Sequence, residues 1–391
     1  MSQDKKEVYA RAPLPPTALG RYRNLSKLAS VLVSPICLGA MSIGDQWHKM
    51  DFAYMDKESS FKLLDKFYEL GGNFIDTANN YQDETSEMFI GEWMELRGHR
   101  DRIVLATKFS LDYKFHDKSM PQHAHLNYMG NNAKSLRTSL RDSLKKLRTD
   151  YVDILYVHWW GYDTSIAELM SHLHDVVTSG KALYLGASDA PAWVVAQANT
   201  WATLHGKTPF SVYQGKWSVL DRGFEREIIP MAREWGMALA PWGVLASGRL
   251  RSDAEEARRR ASGENGRIFE TGWERTPEER RMSAALEKVA QEVGNGCTLT
   301  AVAIAYVMQK TAYVFPVVGG RKIEHLLDNI KALEIVLSKE QIAYIESVNA
   351  FDEGFPTSMI GDGTEPNQFY LRTGHVDRVQ YPQPILPRRT D

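Results

Sequence analysis

Residues 152–158, Val-Asp-Ile-Leu-Tyr-Val-His, decide how this chain folds. Apolar side chains occupy both the odd and the even positions, so a strand made from them is buried on both faces, as strands of a parallel sheet are. Residues 103–108, Ile-Val-Leu-Ala-Thr-Lys, read the same way. Working outward, short apolar runs predict further strands, giving in all Ile36–Gly39, Asn73–Asp76, Ile103–Lys108, Val152–His158, Ala182–Ser188, Val212–Lys216, Ala238–Trp242 and Val314–Val318. Helical patterns lie between them. In residues 132–148, Leu136, Leu140, Leu144 and Leu147 form one apolar stripe. Ser165, ahead of Ile166, is placed to cap another helix.

Eight strands alternating with helices, without a break in composition, predict an α/β fold, a (β/α)8 TIM barrel. A doubly wound sheet is the rival, but its G-x-G-x-x-G fingerprint is missing after the first strand, where Leu38–Gly44 has the wrong spacing. The 391 residues exceed the roughly 250 of a plain barrel. The excess falls in an N-terminal arm (1–21), long loops after strands 3 and 7 (111–131 and 243–278), and a C-terminal extension (351–391) beyond a barrel at 22–350. The extension is expected either to fold over the barrel mouth or to stabilise an oligomer. The charged run Asp253–Arg260 reads as a solvated helix.

Net charge is −2, and basic residues are interleaved with acids, so neither nucleic acid nor a membrane surface is an expected partner. No run of about 18 apolar residues is present. Cys37 and Cys297 are too few for a disulfide framework, and the expected location is the cytoplasm.

Four polar residues fall at or just beyond the ends of strands two, three and four: Asp76, Tyr81, Lys108 and His158. Strand ends converge at a barrel mouth, so residues distant in sequence can meet there. Each alone reads as packing. Together, a charged Asp and Lys ending apolar strands need one another. No metal is expected, since His123/His125 and His172/His174 lack matching carboxylate or Cys partners.

The stretch GGNFIDTANNYQDETSEMFIGEW (71–93) resembles the aldo-keto reductase superfamily, in which a strand ends in Asp-Thr-Ala and a Tyr follows. LATKF, DILYVHWW and LGASD match further segments of that family, and the likeness runs from about residue 19 to 348. GAMSIGDQW and PAWVVAQAN are most similar to the fungal aryl-alcohol dehydrogenase branch, which interconverts aryl aldehydes and benzylic alcohols with NADPH/NADP+. The resemblance implies that Tyr81 is the acid, that Lys108 lowers its pKa, that Asp76 orients Lys108, and that His158 hydrogen-bonds the carbonyl oxygen. Bringing a phenol from about 10 toward 7 takes roughly 4 kcal/mol of preferential phenolate stabilisation, and a cation has the right sign.

The same resemblance places Ser188 and Gln214 at the nicotinamide carboxamide and stacks Trp242, where Tyr is usual, on the ring. Two further positions depart from the family: Asp189 stands where Asn is usual, and Gly243 where Ser is common. After strand eight, Gly319-Gly320-Arg321-Lys322 leads into a helix, a turn whose N–H groups suit an anion. Arg321 and Lys322 fit an adenosine 2′-phosphate, favouring NADPH/NADP+. His325, Asp328 and Asn329 follow on that helix, and the last two match positions that read adenine. Trp47, Tyr113, Trp159 and Trp160 are candidate walls for an aromatic carbonyl or alcohol substrate. Two other readings share these motifs: a reductase of a bulkier polyketide-type ketone, and a regulatory subunit like those of potassium channels. The oligomeric state is left open.

Overall fold

The computed structural model describes residues 10–50, 54–263 and 272–387. Its strands are β1 Arg23–Asn24, β2 Leu32–Val33, β3 Cys37–Gly39, β4 Phe74–Asp76, β5 Val104–Phe109, β6 Val152–Val157, β7 Ala182–Ser188, β8 Phe210–Gln214, β9 Ala238–Leu239 and β10 Val317–Val318. β1 and β2 pair antiparallel, while the other eight form one sheet in the order β10-β3-β4-β5-β6-β7-β8-β9. Each neighbouring pair along that order is parallel. The ring closes where the Leu239 N–H donates to the Tyr313 carbonyl (2.9 Å) and the Val317 N–H to the Pro241 carbonyl (2.8 Å). The chain is a (β/α)8 barrel.

Of the predicted strands, the sixth is displaced: pairing with β7 begins at Phe210 opposite Leu185 and ends at Gln214 opposite Ser188. Lys216 keeps an isolated bridge to Trp242.

Side-chain alternation divides the barrel into two cores. Phe74, Val104, Ala106, Ile154, Tyr156 and Val212 point into the barrel and pack on one another. Their neighbours Ile75, Leu105, Leu155 and Val157 point outward under the helices. Continuing the inward parity along each strand reaches Asp76, Lys108, His158, Ser188 and Gln214 at the C-terminal ends. The same alternation that fills the barrel therefore aims polar groups into its mouth. At the opposite end, Leu25, Ala29 and Val33 of the β1–β2 hairpin plug the interior. Two-residue strands carry too little pattern to be read from sequence.

Helix signals acted as expected. Ser165 accepts a hydrogen bond from the Glu168 N–H (3.2 Å) at the start of Ile166–Thr178. The stripe of Ala133–Lys146 buries Leu136 and Leu140. That helix also carries Lys146, a buried ammonium held by Glu84 (2.9 Å), Glu87 (2.8 Å) and the Asn79 carbonyl (3.0 Å). It thereby ties the segment after β4 to the barrel wall.

Residues 351–387 of the C-terminal extension contact the helix Phe224–Trp235, where Arg226 donates to the Asp352 carbonyl (2.7 Å) and Arg233 pairs with Asp362 (3.2 Å). Farther along, Arg23 of the hairpin donates to the Ile385 carbonyl (3.4 Å). The described tail thus runs along the barrel's side from mouth to base. Residues 1–9 of the N-terminal arm, 264–271 of the loop after β9 and 388–391 of the tail lie outside the described residues.

Lys146→Met leaves Glu87 buried without its ammonium and Glu84 with Lys114 alone. The expected cost is about 3–5 kcal/mol, read by urea unfolding. Lys62→Ala, which breaks the exposed Lys62–Glu58 pair, should leave the midpoint unchanged.

Candidate active site

At the mouth, Lys108 Nζ donates to Asp76 Oδ2 (2.5 Å) and to the Thr77 carbonyl (2.8 Å), and lies 3.5 Å from the Tyr81 hydroxyl. The Lys108 side chain is wholly buried and that of Asp76 is 3% exposed. The second Asp76 oxygen accepts from Gln214 Nε2 (3.0 Å), across the barrel. His158 stands edge-on to Tyr81, ring centroids 5.8 Å apart. The four candidate residues therefore form one cluster, although Tyr81 is not on a strand.

Tyr81 is carried by a loop whose next three residues, Gln82, Asp83 and Glu84, have φ of 53°, 47° and 79°. Non-glycine residues adopt this left-handed region at a cost. Each is fastened by its side chain. Gln82 donates to the Met41 carbonyl (3.0 Å), Asp83 accepts from the Trp47 indole (2.8 Å), and Glu84 pairs with Lys114 (2.6 Å) as well as Lys146.

Charge at the cluster corrects one expectation. Burial pushes the Tyr81 phenol up and Asp76 adds to it; Lys108 pulls the other way, but the net displacement is upward. Burial opposes the Lys108 ammonium, while Asp76 and Tyr81 more than offset it and hold its pKa above the ordinary value. Lys108 therefore has the expected sign on Tyr81 and is outweighed, because removing a phenolate from water costs more than one shared cation returns. Burial and the Lys108 charge push His158 well below the usual imidazole range, so the ring is neutral, and its Nδ1 is buried without a hydrogen-bond partner.

A cleft of about 1050 Å³ runs from this cluster to the turn after β10. Ser188, Gln214 and Trp242 line its middle, and Gly319, Arg321, His325, Asp328 and Asn329 line its far end. The Ser188 hydroxyl is buried and unpartnered, as a group awaiting a polar ligand would be. Close approach of backbone matters at Gly39, where an added Cβ would lie 3.0 Å from Val317 and 3.5 Å from the Gly319 nitrogen. These features fit a dinucleotide. Gly243 has φ +72°, a conformation that disfavours the Ser common elsewhere. Asp328 is already engaged by the hydroxyls of Thr298 (2.9 Å) and Thr300 and by Lys331 (3.2 Å).

Other candidates lie elsewhere. Lys322 occupies the N-cap position of the helix Ile323–Ile330, with no side-chain capping hydrogen bond, and is not among the residues lining the cleft. Trp47 lines the cleft with its ring 6.3 Å from that of Tyr81. Tyr113 stands apart, buried with its hydroxyl donating to Asp142 (2.7 Å). Trp159 and Trp160 are half-buried beside the mouth, outside the cleft lining.

Sequence reasoning did not single out Asn80, nor Leu111, Leu245 and Arg251 within the long loops after strands 3 and 7, on the cleft wall. It also took Asp253–Arg260 for a solvated helix. In the structure Glu255 and Arg259 line the cleft, and Glu256 is buried against Arg251 (3.2 Å) and Arg275 (2.5 Å). A charged run gives no sign of which charges will face inward.

The sequence pattern of the Aldo/keto reductase family matches residues 35–350, and the chain belongs to that family. It is 54% identical to an aryl-alcohol dehydrogenase [NADP(+)] of Phanerodontia chrysosporium, over 98% of this chain and 100% of that protein. It is 53% identical to an aldo-keto reductase of Emericella nidulans (91% of this chain, 88% of that one) and 49% identical to a norsolorinic acid reductase of Aspergillus flavus (93% and 89%). Among the described residues no helix is long and apolar enough to cross a membrane.

A neutral His158 is checked by nitrogen-15 NMR of the imidazole. Its shifts should stay those of the uncharged ring from about pH 8 to about pH 6, whereas an ordinary histidine titrates near 6.5.

Proposed function

We propose that the chain is an NADP-dependent oxidoreductase that reduces aryl aldehydes to benzylic alcohols and runs the reverse oxidation with NADP+, with Tyr81 as general acid. The observation that carries this reading is the Tyr81 hydroxyl, set 3.5 Å from a buried Lys108–Asp76 pair beside a neutral His158, at one end of a cleft built for a dinucleotide. When bound, the reduced nicotinamide supplies the hydride.

A carbonyl that accepts a hydride gains charge on oxygen and needs a proton there. Tyr81 holds that proton firmly at neutral pH, so the acid is loaded before substrate arrives. Lys108 keeps positive charge near the phenol as it becomes a phenolate, and Asp76, braced by Gln214, keeps Lys108 charged and aimed. A neutral His158 ring donates an N–H to the carbonyl oxygen and orients it. Ser188 and Gln214 supply polar contacts for the carboxamide, Trp242 a stacking face, and Arg321 a guanidinium for the 2′-phosphate. His325, Asp328 and Asn329 border the adenosine end, with Gly319 presenting backbone to the phosphates. Trp47, edge-on to Tyr81, gives a flat ring an aromatic wall.

Support for an aryl substrate comes from that wall and from the relative named aryl-alcohol dehydrogenase. A bulkier aromatic ketone is the second reading, favoured by the norsolorinic acid reductase relative. The two unpaired cysteines fit a reducing cytoplasm.

The test follows loss of NADPH absorbance with 3,4-dimethoxybenzaldehyde. Turnover is expected, with Tyr81→Phe slower by about 10²–10⁴-fold while still folded. Tight NADPH binding without turnover of aldehydes or aromatic ketones would instead point to a regulatory subunit. Since reduction needs the phenol, its kcat/KM should stay level through neutral pH and fall only above the raised Tyr81 pKa. Oxidation needs the phenolate and should climb across the same range. Arg321→Ala should cut the NADPH-over-NADH preference by about tenfold or more, about 1.4 kcal/mol.

A further inference from the structure

Asp189 and Trp242, each a change from the residue usual in the family, meet in space. Asp189, at the end of β7, accepts the indole N–H of Trp242 on both carboxylate oxygens, at 3.1 and 3.2 Å. An indole can only donate, so a Trp at this place needs an acceptor, and a carboxylate is one in both of its positions. Asp189 has φ +43° and is exposed to solvent where it borders the cleft. It also follows Ser188, whose buried hydroxyl has no partner. All three residues line the same stretch of the cleft, between the Tyr81 cluster and the turn after β10.

We propose that Asp189 is a specificity-determining residue whose carboxylate, braced against Trp242, favours the cationic ring of NADP+ over the neutral ring of NADPH. The inference rests on the cofactor reading of the cleft. The two nucleotides carry the same phosphates and differ at the ring by one positive charge. A fixed negative charge between the carboxamide contact and the stacking face therefore discriminates between them, while the phosphate contacts do not. The same carboxylate stabilises positive charge as it develops on the ring during hydride departure, an interaction stronger after transfer than before it. It makes hydride donation on the enzyme more favourable and holds the oxidised product longer. Asn at this position would keep an acceptor for Trp242 and lose the charge.

The groups facing Asp189 are Lys108 of β5, Lys216 beyond β8, Tyr213 of β8, Tyr81 of the loop after β4, and Trp242. Crowding by the cleft wall raises the carboxyl to about 6, against the Trp242 hydrogen bond and the charges of Lys108 and Lys216. Discrimination is therefore present above about pH 6 and fades below it, as the carboxylate is protonated.

The test measures Kd for NADP+ and for NADPH by quenching of tryptophan fluorescence, in the wild type and in Asp189→Asn, at about pH 7.5 and about pH 5. Near pH 7.5 the variant should show a Kd ratio, NADP+ over NADPH, about tenfold higher than wild type, or about 1.4 kcal/mol. The wild-type ratio should rise toward the variant's near pH 5, while the variant's stays flat. Asn tolerates the left-handed backbone, so loss of fold is not the expected result, and the wild-type pH dependence reads the same charge without any substitution. Equal ratios in the two proteins near pH 7.5, or a wild-type ratio independent of pH, overturn the proposal. Failure of the wild type to bind either nucleotide overturns the cofactor reading and this proposal with it.

Discussion

Two opposite charges buried at 2.5 Å, Lys108 on Asp76, set the terms for the rest of the mouth. Neither could stand at the end of an apolar strand alone, because an unpaired buried ion costs several kcal/mol. Together they still leave oxygens and protons to satisfy, and the barrel supplies them: Gln214 from the far wall and the Thr77 carbonyl from the same strand end. Closure of the sheet is what brings Gln214 to Asp76. An open sheet, with the strands of these two residues far apart, would leave Asp76 half-satisfied. The satisfied ion pair thus requires the closed barrel.

Around that pair the structure places one group that strands cannot place. Tyr81 sits on a loop, and the loop is held in an unfavourable backbone by side chains reaching in different directions. Gln82 and Asp83 fasten it to the segment bearing Trp47, and Glu84 fastens it to Lys114 and Lys146. Tyr81 and one wall of the cleft are consequently parts of one fastened unit. Rigid mounting of this kind suits the proton-donor role proposed for Tyr81, since transfer depends on distances near hydrogen-bond length.

The cleft shows how local departures from a family pattern can be paired in space. Trp242 and Asp189 each look anomalous in sequence. In the structure one donates to the other, and the pair brings a charge to a place where an amide would bring none. The loop after β9 behaves similarly. Its charges look solvated in sequence, yet Glu256, Arg251 and Arg275 bury one another and bring Arg251 and Arg259 to the cleft wall.

Sequence by itself determined the barrel and which four polar residues meet at its mouth. Strands buried on both faces, such as β5 and β6, are largely apolar on both, so Lys108 near the end of one and His158 just beyond the other stand out against that background. Helix caps were legible too, because Ser165 acts on a residue three positions away. Only the tertiary structure decided features that depend on contacts across the fold. The β1–β2 plug is too short for a periodic signal. Tyr113 became a buried anchor through Asp142, and the tail came to lie along the barrel's side through Arg226 and Arg233. The net rise of the Tyr81 pKa likewise reflects burial, which no spacing of residues reveals. Periodicity records which face of an element meets the core; it does not record which partner waits on the other side, and these outcomes turned on the partner.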